Sequence, residues 1–261
     1  MISVVLPVYN QLALTRACLD SLRETHEPFE LCVVDNASSD GTPEFFRTAA
    51  RPGGLRYQRN DANVGLIHAL NQGAALAGGD VLCFLHNDTE MRDPGWLTRL
   101  RAALEVPGVG LAGLYGARRL RADGRFVGRT LVHALEGTAN LRGDMVEVAV
   151  VDGVCLTLRR AVLEAVGGFD EGYGFFHGYD RELSFAVREA GHRCVVVNAP
   201  FVHRGGGTRT GAAAPVKSAE DLAQRRAALA RFATRWRQRL PADVRGPRER
   251  VADWLTARVQ R

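Results

Sequence analysis

The sequence is poor in lysine and in aromatic residues, and it has no long apolar run. Lys217 is the one lysine, so arginine supplies the rest of the 34 basic residues, and aromatic residues make up 7% of the 261. No apolar stretch approaches the roughly 20 residues that span a bilayer. The first ten residues also lack the basic start and the long apolar segment of a signal peptide. These absences predict a soluble, cytoplasmic protein.

Closely spaced cysteines are absent as well. The chain has five cysteines, an odd number, and none of them form a CxxC pair: Cys18, Cys32, Cys83, Cys155 and Cys194. A disulfide framework uses even sets of cysteines, and a structural zinc site uses closely spaced ones. The sequence therefore predicts neither.

The net charge of +5 is unevenly distributed along the chain. Residues 217–261 hold twelve basic and five acidic residues, a net charge of +7, which leaves residues 1–216 at −2. This mildly acidic part has no basic stripe interleaved with aromatic residues. We therefore expect no nucleic-acid partner.

Apolar, β-branched segments alternate with helical patterns along the first hundred residues. Four segments are predicted strands, at 2–8, 31–34, 55–58 and 80–85, and a helical spacing of apolar residues follows each of them. Four such units predict a doubly wound, mostly parallel α/β sheet.

Polar residues follow the predicted strands, where the carboxyl ends of parallel strands form a ligand-binding edge. They are Tyr9-Asn10, Asp35-Asn36, Asn63 and His86-Asn87-Asp88. Such residues also mark turns, but four clusters at one edge favour a binding site. The first strand leads into Pro-Val-Tyr-Asn instead of GxGxxG, and the chain has no Walker P-loop. A Rossmann dehydrogenase, a methyltransferase and a kinase are therefore disfavoured.

Seven segments, in the same order, resemble the family-2 inverting glycosyltransferases of the GT-A fold. They are residues 4–10, 33–42, 63–73, 84–89, 151–160, 167–191 and His203. The resemblance covers residues 2–208 and implies a GT-A (nucleotide-diphospho-sugar transferase) fold with a C-terminal helical appendix. It implies a catalytic domain at 1–208, with a nucleotide-binding half at 1–113 and an acceptor side with the catalytic base at 114–208.

The resemblance also implies a donor site. Its nucleotide-binding residues would be Pro7, Tyr9, Asp35, Asn63, Gly65, His86, Asn87 and Asp88. Asp35 would accept a hydrogen bond from the base, and a carboxylate at this position suits the imide N–H of a pyrimidine. A UDP-sugar or dTDP-sugar donor is therefore favoured.

A divalent cation is implied by the same family pattern. His86-Asn87-Asp88 stands where the family has its DxD motif, and Asp88 and His203 are the implied ligands. Mn²⁺ and Mg²⁺ both accept oxygen ligands, and a histidine nitrogen favours Mn²⁺. The alternative for His203 is a strand-end residue that packs in the sheet.

On the acceptor side, the resemblance implies Asp180 as the general base that removes a proton from the acceptor hydroxyl. The other residues expected on that side are Asp152, Gly153, His177 and Tyr179, and Tyr179 stands where the family often has Glu. Asp180 is alternatively the cap of a helix over 181–189. The arginines at 118, 119, 121, 125 and 129 would either meet a phosphate-bearing acceptor or remain solvated.

The C-terminal part of the sequence predicts a small-residue linker or lid at 209–217 and a basic helical tail at 218–261. Apolar residues recur at helical spacing in this tail: Leu222, Leu229, Phe232 and Trp236. One interpretation is an amphipathic helix that touches anionic lipid at the inner face of the membrane. The other is an appendix that packs on the catalytic domain or on a second subunit of a homodimer.

These patterns predict an inverting, metal-assisted glycosyltransferase of hexosyl or deoxyhexosyl groups in polysaccharide biosynthesis. Its partners would be a nucleotide-diphosphate sugar donor and a hydroxyl of a glycan, lipid-linked or small-molecule acceptor. A catalytically silent nucleotide-sugar-binding subunit of the same fold is the alternative, because His86 and Tyr179 depart from the family pattern. A nucleotidyltransferase is disfavoured, since the first loop has neither its glycines nor its arginine.

Overall fold

The computed structural model describes residues 1–48, 54–205 and 218–251. Its strands are β1 (Ile2–Val8), β2 (Phe29–Asp35), β3 (Leu55–Arg59), β4 (Val81–Leu85), β5 (Thr89–Met91), β6 (Val109–Gly113), β7 (Tyr115–Ala117), β8 (Leu131–His133), β9 (Met145–Val148), β10 (Val150–Val151), β11 (Cys155–Arg159), β12 (Arg193–Val197) and β13 (Phe201–His203). Its helices are α1 (Leu12–Ser21), α2 (Thr42–Thr48), α3 (Leu66–Leu76), α4 (Trp96–Glu105), α5 (Arg160–Ala165), α6 (Tyr179–Glu189) and α7 (Ser218–Arg235).

An eight-stranded sheet forms the centre of the protein, in the order β3-β2-β1-β4-β11-β6-β12-β9. The first four of these strands run parallel, as does the β6–β12 pair, whereas β11 and β9 are antiparallel to their neighbours. The predicted mostly parallel α/β sheet is confirmed, and so are the four strands predicted in the first hundred residues. Two smaller sheets join β10, β7 and β8, and β13 with β5.

Helices cover both faces of the central sheet, and β1 shows why. Successive side chains of a strand point to opposite faces, and Val4 and Val5 are both fully buried. Val4 belongs to the apolar cluster that contains Trp96 of α4, and Val5 to the cluster that contains Ile67 of α3. Burying an aliphatic side chain of this size contributes about 1.5–3 kcal/mol. A strand that is apolar on both faces therefore requires the observed layers on both sides.

All five cysteines are buried free thiols within these two clusters. The sulfur atoms of Cys83 and Cys155 lie 3.8 Å apart. Burial raises the pKa of the Cys155 thiol well above its usual value, so this thiol stays protonated. The cysteines thus serve as small apolar side chains of the core.

Helix α7 packs against the main body of the protein. Phe232 is fully buried and meets Phe185 of α6 edge to face, with ring centroids 4.8 Å apart. The indole N–H of Trp236 donates a hydrogen bond of 2.8 Å to Glu182. Residues 218–251 therefore form an appendix that packs on the main body, as the second of the two interpretations predicts. The linker or lid predicted at 209–217 and the tail beyond residue 251 lie outside the described residues, and none of the described helices is long and apolar enough to cross a membrane.

Candidate active site

A cavity of about 510 Å³ opens where β1 and β4 end. Twelve of the fourteen predicted site residues line it: Pro7, Tyr9, Asn63, His86, Asn87, Asp88, Asp152, Gly153, His177, Tyr179, Asp180 and His203. Asp35 and Gly65 are not among its lining residues. The polar residues that follow the strands thus meet at the carboxyl edge of the sheet, as predicted.

Three side chains in this cavity form a candidate metal centre. One ligand atom from each of His86, Asp88 and His203 lies within 4.8 Å of the others. The β5–β13 pairing brings them together, since it places His203 directly opposite Thr89. Nε2 of His203 lies 3.2 Å from Oδ1 of Asp88, and Nδ1 of His86 lies 4.0 Å from the same oxygen.

Asp88 is held as a carboxylate in this cluster. It is only 8% exposed. Burial favours its neutral form, but the hydrogen bond with His203 and the nearby His86 imidazole outweigh burial and lower the pKa of Asp88. An ionised carboxylate with two imidazoles is a donor set suited to a divalent transition metal such as Mn²⁺. The residues present therefore fit a divalent cation.

His86 was expected to contact the nucleotide, but the structure places it in this cluster as a third candidate ligand. Its other ring nitrogen, Nε2, lies 2.9 Å from the hydroxyl of Tyr179. Metal-binding histidines generally use their second nitrogen in such a contact, which fixes the orientation of the ring. The spacing His86-Asn87-Asp88 is the sequence signal for this role.

The Tyr179 hydroxyl fits beside the loop before β11 because residue 153 is glycine. A Cβ atom built on Gly153 would overlap the phenol oxygen of Tyr179. The same loop carries Asp152, and both residues line the cavity next to Tyr179. The small residue at 153 therefore allows the tyrosine to reach His86.

Asp180 lies in the first turn of α6. The helix begins at Tyr179, one residue earlier, so the alternative that Asp180 caps a helix over 181–189 is wrong. Its Oδ1 accepts hydrogen bonds from the backbone N–H of Arg181 at 2.8 Å and from the Arg181 guanidinium at 3.3 Å. Its other oxygen, Oδ2, accepts no hydrogen bond from the described residues. Asp180 thus presents one carboxylate oxygen without a hydrogen bond, on a helix N-terminus that favours negative charge.

Asp152 is the second carboxyl group on this side of the cavity. Its Oδ1 accepts a hydrogen bond of 3.1 Å from the backbone N–H of Val154. Burial and the nearby charge of Asp180 raise the pKa of Asp152 from 3.8 to about 6. Two carboxyl groups therefore line the side of the cavity where the acceptor is expected, and burial makes Asp152 harder to ionise than an ordinary aspartate.

The nucleotide-base role predicted for Asp35 disagrees with the structure. Asp35 is fully buried, and its Oδ2 accepts hydrogen bonds of 2.7 Å from Tyr57 and from Arg59. Its Oδ1 accepts a bond from the backbone N–H of Ser38. With both oxygens engaged, Asp35 holds the strand ends together, and the argument for a pyrimidine donor loses its basis.

Gly65 shapes the site through its backbone. Its φ of 89° lies in a region that side chains rarely adopt, and a Cβ there would crowd Phe175 at 2.9 Å. Its carbonyl oxygen accepts a hydrogen bond of 3.0 Å from Asn36, which lines the cavity. Gly65 therefore positions a lining residue and does not line the cavity itself.

The arginines of residues 118–129 do not reach the cavity. Arg118 pairs with Glu249, with 2.8 Å between Nη2 and Oε2, and Arg125 lies 3.6 Å from Asp123. Among the described residues, the arginines that line the cavity are Arg181 and Arg225. Arg225 belongs to α7, so part of the predicted appendix reaches the site. No short-range signal marks Arg225 in the sequence.

Comparison with known proteins agrees with this geometry. The family model described as Glycosyl transferase family 2 matches residues 3–167, which is more than half of the chain. The chain belongs to glycosyl transferase family 2. The predicted family and the predicted α/β GT-A fold are thereby confirmed.

One relative of this family 2 member is the O-antigen biosynthesis protein RfbC of Myxococcus xanthus. The two are 30% identical over 234 residues, which is 82% of this chain and 18% of that protein. The chain also spans only 23% and 38% of two uncharacterised relatives, from Sinorhizobium fredii and Mycobacterium tuberculosis. It thus spans less than two fifths of the length of these three curated relatives.

Two solved structures share the fold. The mannosyltransferase PcManGT from Pyrobaculum calidifontis, in complex with GDP-Man and Mn²⁺, has a TM-score of 0.60 at 22% identity, covering 78% of this chain and 58% of that one. GalNAc-T7 with UDP, GalNAc and Mn²⁺ has a TM-score of 0.62 at 18% identity, covering 78% of this chain and 43% of that one. At these identities the likeness shows the fold alone.

Proposed function

We propose that this family 2 member is an inverting glycosyltransferase that moves a hexosyl or deoxyhexosyl group from a nucleotide-diphosphate sugar to an acceptor hydroxyl. The observation that carries the proposal is the meeting of the His86, Asp88 and His203 cluster with the Asp180 carboxylate in one cavity. Inverting transfer needs a leaving diphosphate that is stabilised and an acceptor hydroxyl that is deprotonated. The cavity offers a group for each task.

The donor end of the cavity is formed by the ends of β1 and β4. Pro7, Tyr9 and Asn63 line it and would contact the nucleoside. His86, Asp88 and His203 would hold a divalent cation, which when bound stabilises the charge that develops on the leaving diphosphate. The Mn²⁺ and nucleotides in the structures of PcManGT and GalNAc-T7 support this arrangement.

At the acceptor end, Asp180 would take the proton of the attacking hydroxyl. Oδ1 is held by the backbone N–H and the guanidinium of Arg181, which fixes the direction of the carboxylate. Oδ2 then receives the proton as the oxygen of the acceptor attacks the sugar. A positioned base of this kind contributes about 10²–10⁴-fold to the rate.

We propose a glycan or lipid-linked glycan as the acceptor. Support comes from RfbC, a relative that is named for O-antigen biosynthesis. The basic residues of the tail were the sequence argument for a membrane surface, but Phe232 and Trp236 are packed on the main body. We therefore place acceptor recognition in the cavity as part of this proposal.

The test measures nucleoside diphosphate release from a panel of UDP-, dTDP- and GDP-sugars in the presence of Mn²⁺. We expect one donor to be hydrolysed slowly, and EDTA to stop the reaction. Asp88→Ala and His203→Ala should lose both the release and the Mn²⁺-dependent thermal stabilisation by the diphosphate. Asp80→Ala, a change at the opposite end of β4, is the matched control and should keep both.

Two outcomes would contradict the proposal. Stabilisation by a nucleotide sugar without any diphosphate release would identify a catalytically silent binding subunit. Parental metal and donor binding in His203→Ala would return His203 to the role of a packed strand-end residue.

A further inference from the structure

Helix α7 and the turn that follows it are fixed to the main body by paired charges. Arg231 lies 3.0 Å from Asp170, and Arg235 lies 2.9 Å from Glu182. Arg239 lies 2.8 Å from Glu189 in the same way. Together with the buried ring of Phe232, these pairs set the position of the helix, including its first turns.

The first turns of α7 reach the cavity. Oδ1 of Asp221 accepts a hydrogen bond of 2.8 Å from Nε2 of His177, which is a lining residue. Arg225 lies four residues after Asp221, on the same face of the helix, and it lines the cavity too. An anchored helix therefore presents a guanidinium group to the site.

Arg225 differs from the other basic residues around it. No ion pair or hydrogen bond joins it to residues 1–48, 54–205 or 218–251. The other cavity arginine, Arg181, is engaged by Asp180 and lies 4.0 Å from the ring centroid of Phe126. The neighbouring Arg226 is exposed and does not line the cavity. Arg225 is thus a cation that faces the cavity without an acidic partner among the described residues.

The position of Arg225 points to the acceptor. Asp221, one helical turn before Arg225, is hydrogen-bonded to His177, and His177 immediately precedes the Gly178–Asp180 segment. The proposed base Asp180 receives the acceptor hydroxyl, whereas Asp88 and His203 come from the strand ends where the donor is expected. A guanidinium group binds phosphate oxygens through two parallel hydrogen bonds.

We propose that Arg225 binds a phosphate-type anion on the acceptor, close to the hydroxyl that receives the sugar. This inference rests on the proposed function of the cavity. Phosphate chemistry has a second source in the donor diphosphate, so the test has to separate the two. The arginines of residues 118–129, which were the sequence candidates for this task, are outside the cavity.

The experiment fills the donor site first. With Mn²⁺ and a saturating nucleoside diphosphate, chosen as the one that stabilises the protein most, calorimetry measures binding of α-D-glucose 1-phosphate. Methyl α-D-glucoside is the uncharged counterpart. The proteins are the parent, Arg225→Gln and the matched control Arg226→Gln, which changes an adjacent arginine on the same helix.

We expect the phosphate probe to bind the parent and Arg226→Gln equally, and to bind Arg225→Gln at least about tenfold more weakly, as for the loss of a charged hydrogen bond. Arg225→Lys should recover part of the difference. The uncharged probe should not distinguish the proteins, and all should bind the nucleoside diphosphate equally. Because Arg225 is exposed, its variants should melt like the parent.

Four results would overturn the inference. If the phosphate probe binds Arg225→Gln and the parent equally, or does not bind the parent, then Arg225 does not bind an anion of the acceptor. Weaker nucleoside diphosphate binding by Arg225→Gln assigns this arginine to the donor. A parent protein that binds no nucleoside diphosphate at all removes the proposed function itself, and the inference with it.

Discussion

The phenol oxygen of Tyr179 lies 2.9 Å from Nε2 of His86, so a hydrogen bond joins the start of α6 to the candidate metal centre. The next residue of α6 is Asp180, and the residue two after His86 is Asp88. Tyr179 is itself only 6% exposed and packs on Phe169, with ring centroids 6.0 Å apart. The position of Asp180 and the geometry of the candidate metal centre are therefore coupled.

The first prediction concerns this hydrogen bond. Tyr179→Phe keeps the ring and its packing but removes the hydroxyl that orients His86. We expect the Mn²⁺ affinity to fall about 10- to 100-fold, the usual effect of removing a partner of a metal-bound histidine. Water proton relaxation in an Mn²⁺ titration measures it without any substrate. Tyr115→Phe, which alters another lining tyrosine, is the control and should keep the Mn²⁺ affinity of the parent. An unchanged Mn²⁺ affinity in Tyr179→Phe would show that this hydroxyl does not orient His86 as a metal ligand.

The second prediction concerns Asp180, the proposed base. Asp180→Asn keeps the shape of the side chain and removes its basicity, so kcat for transfer should fall about 10²–10⁴-fold. Nucleoside diphosphate affinity should not change, because the donor contacts lie elsewhere in the cavity. Asp123→Asn, which alters an exposed carboxylate outside the cavity, should behave like the parent. Substantial activity in Asp180→Asn would move the base to another residue, for which Asp152, the second carboxyl group on this side of the cavity, is the first candidate.

The third prediction uses the raised pKa of Asp152, which is about 6 in the folded protein. A carboxyl group whose pKa is higher in the folded state favours folding when protonated, and this contribution is lost as the pH rises from about 4 to 6. Asp152→Asn, which is neutral at every pH, should therefore stabilise the metal-free protein at pH 7 by up to about 3 kcal/mol. At pH 4 the two proteins should unfold alike. Urea unfolding at both pH values checks this, and a variant that is less stable at pH 7 would contradict it.

The fourth prediction concerns the packing of α7. Phe232→Ala removes a fully buried ring and should lower the free energy of unfolding by about 3–5 kcal/mol. Leu222→Ala is the matched control, since Leu222 is 46% exposed on the same helix and its loss should cost less than about 0.5 kcal/mol. Chemical denaturation measures both. Equal stabilities would mean that α7 does not pack on the main body in solution.

The sequence was most informative where strand order alone places residues together. Asp88 follows β4 directly, and the family pattern pairs it with a late histidine, so the Asp88–His203 pair was predicted. The sequence did not predict His86 as a metal ligand. Its ring is oriented by the hydrogen bond with Tyr179, which lies 93 positions later in the chain. Side-chain orientation of this kind leaves no periodic signal in a sequence.

Asp35 was misassigned for a related reason. The prediction treated it as an isolated carboxylate at a strand end. In the structure, the parallel register of β2 and β3 places Arg59 directly beside it, and the two form an ion pair of 2.7 Å. The register of neighbouring strands is a tertiary property, and so is the docking of α7 that brings Arg225 to the cavity.

The space at Gly153 has a consequence for how this site can change during evolution or design. A Cβ there would overlap the hydroxyl and Cζ of Tyr179, so even alanine at 153 displaces the phenol ring from the position in which it bonds Nε2 of His86. A larger residue at position 153 therefore affects positions 179 and 86 as well. A designer who wishes to alter the metal preference of this cavity should begin at the glycine, although it carries no chemical group of its own.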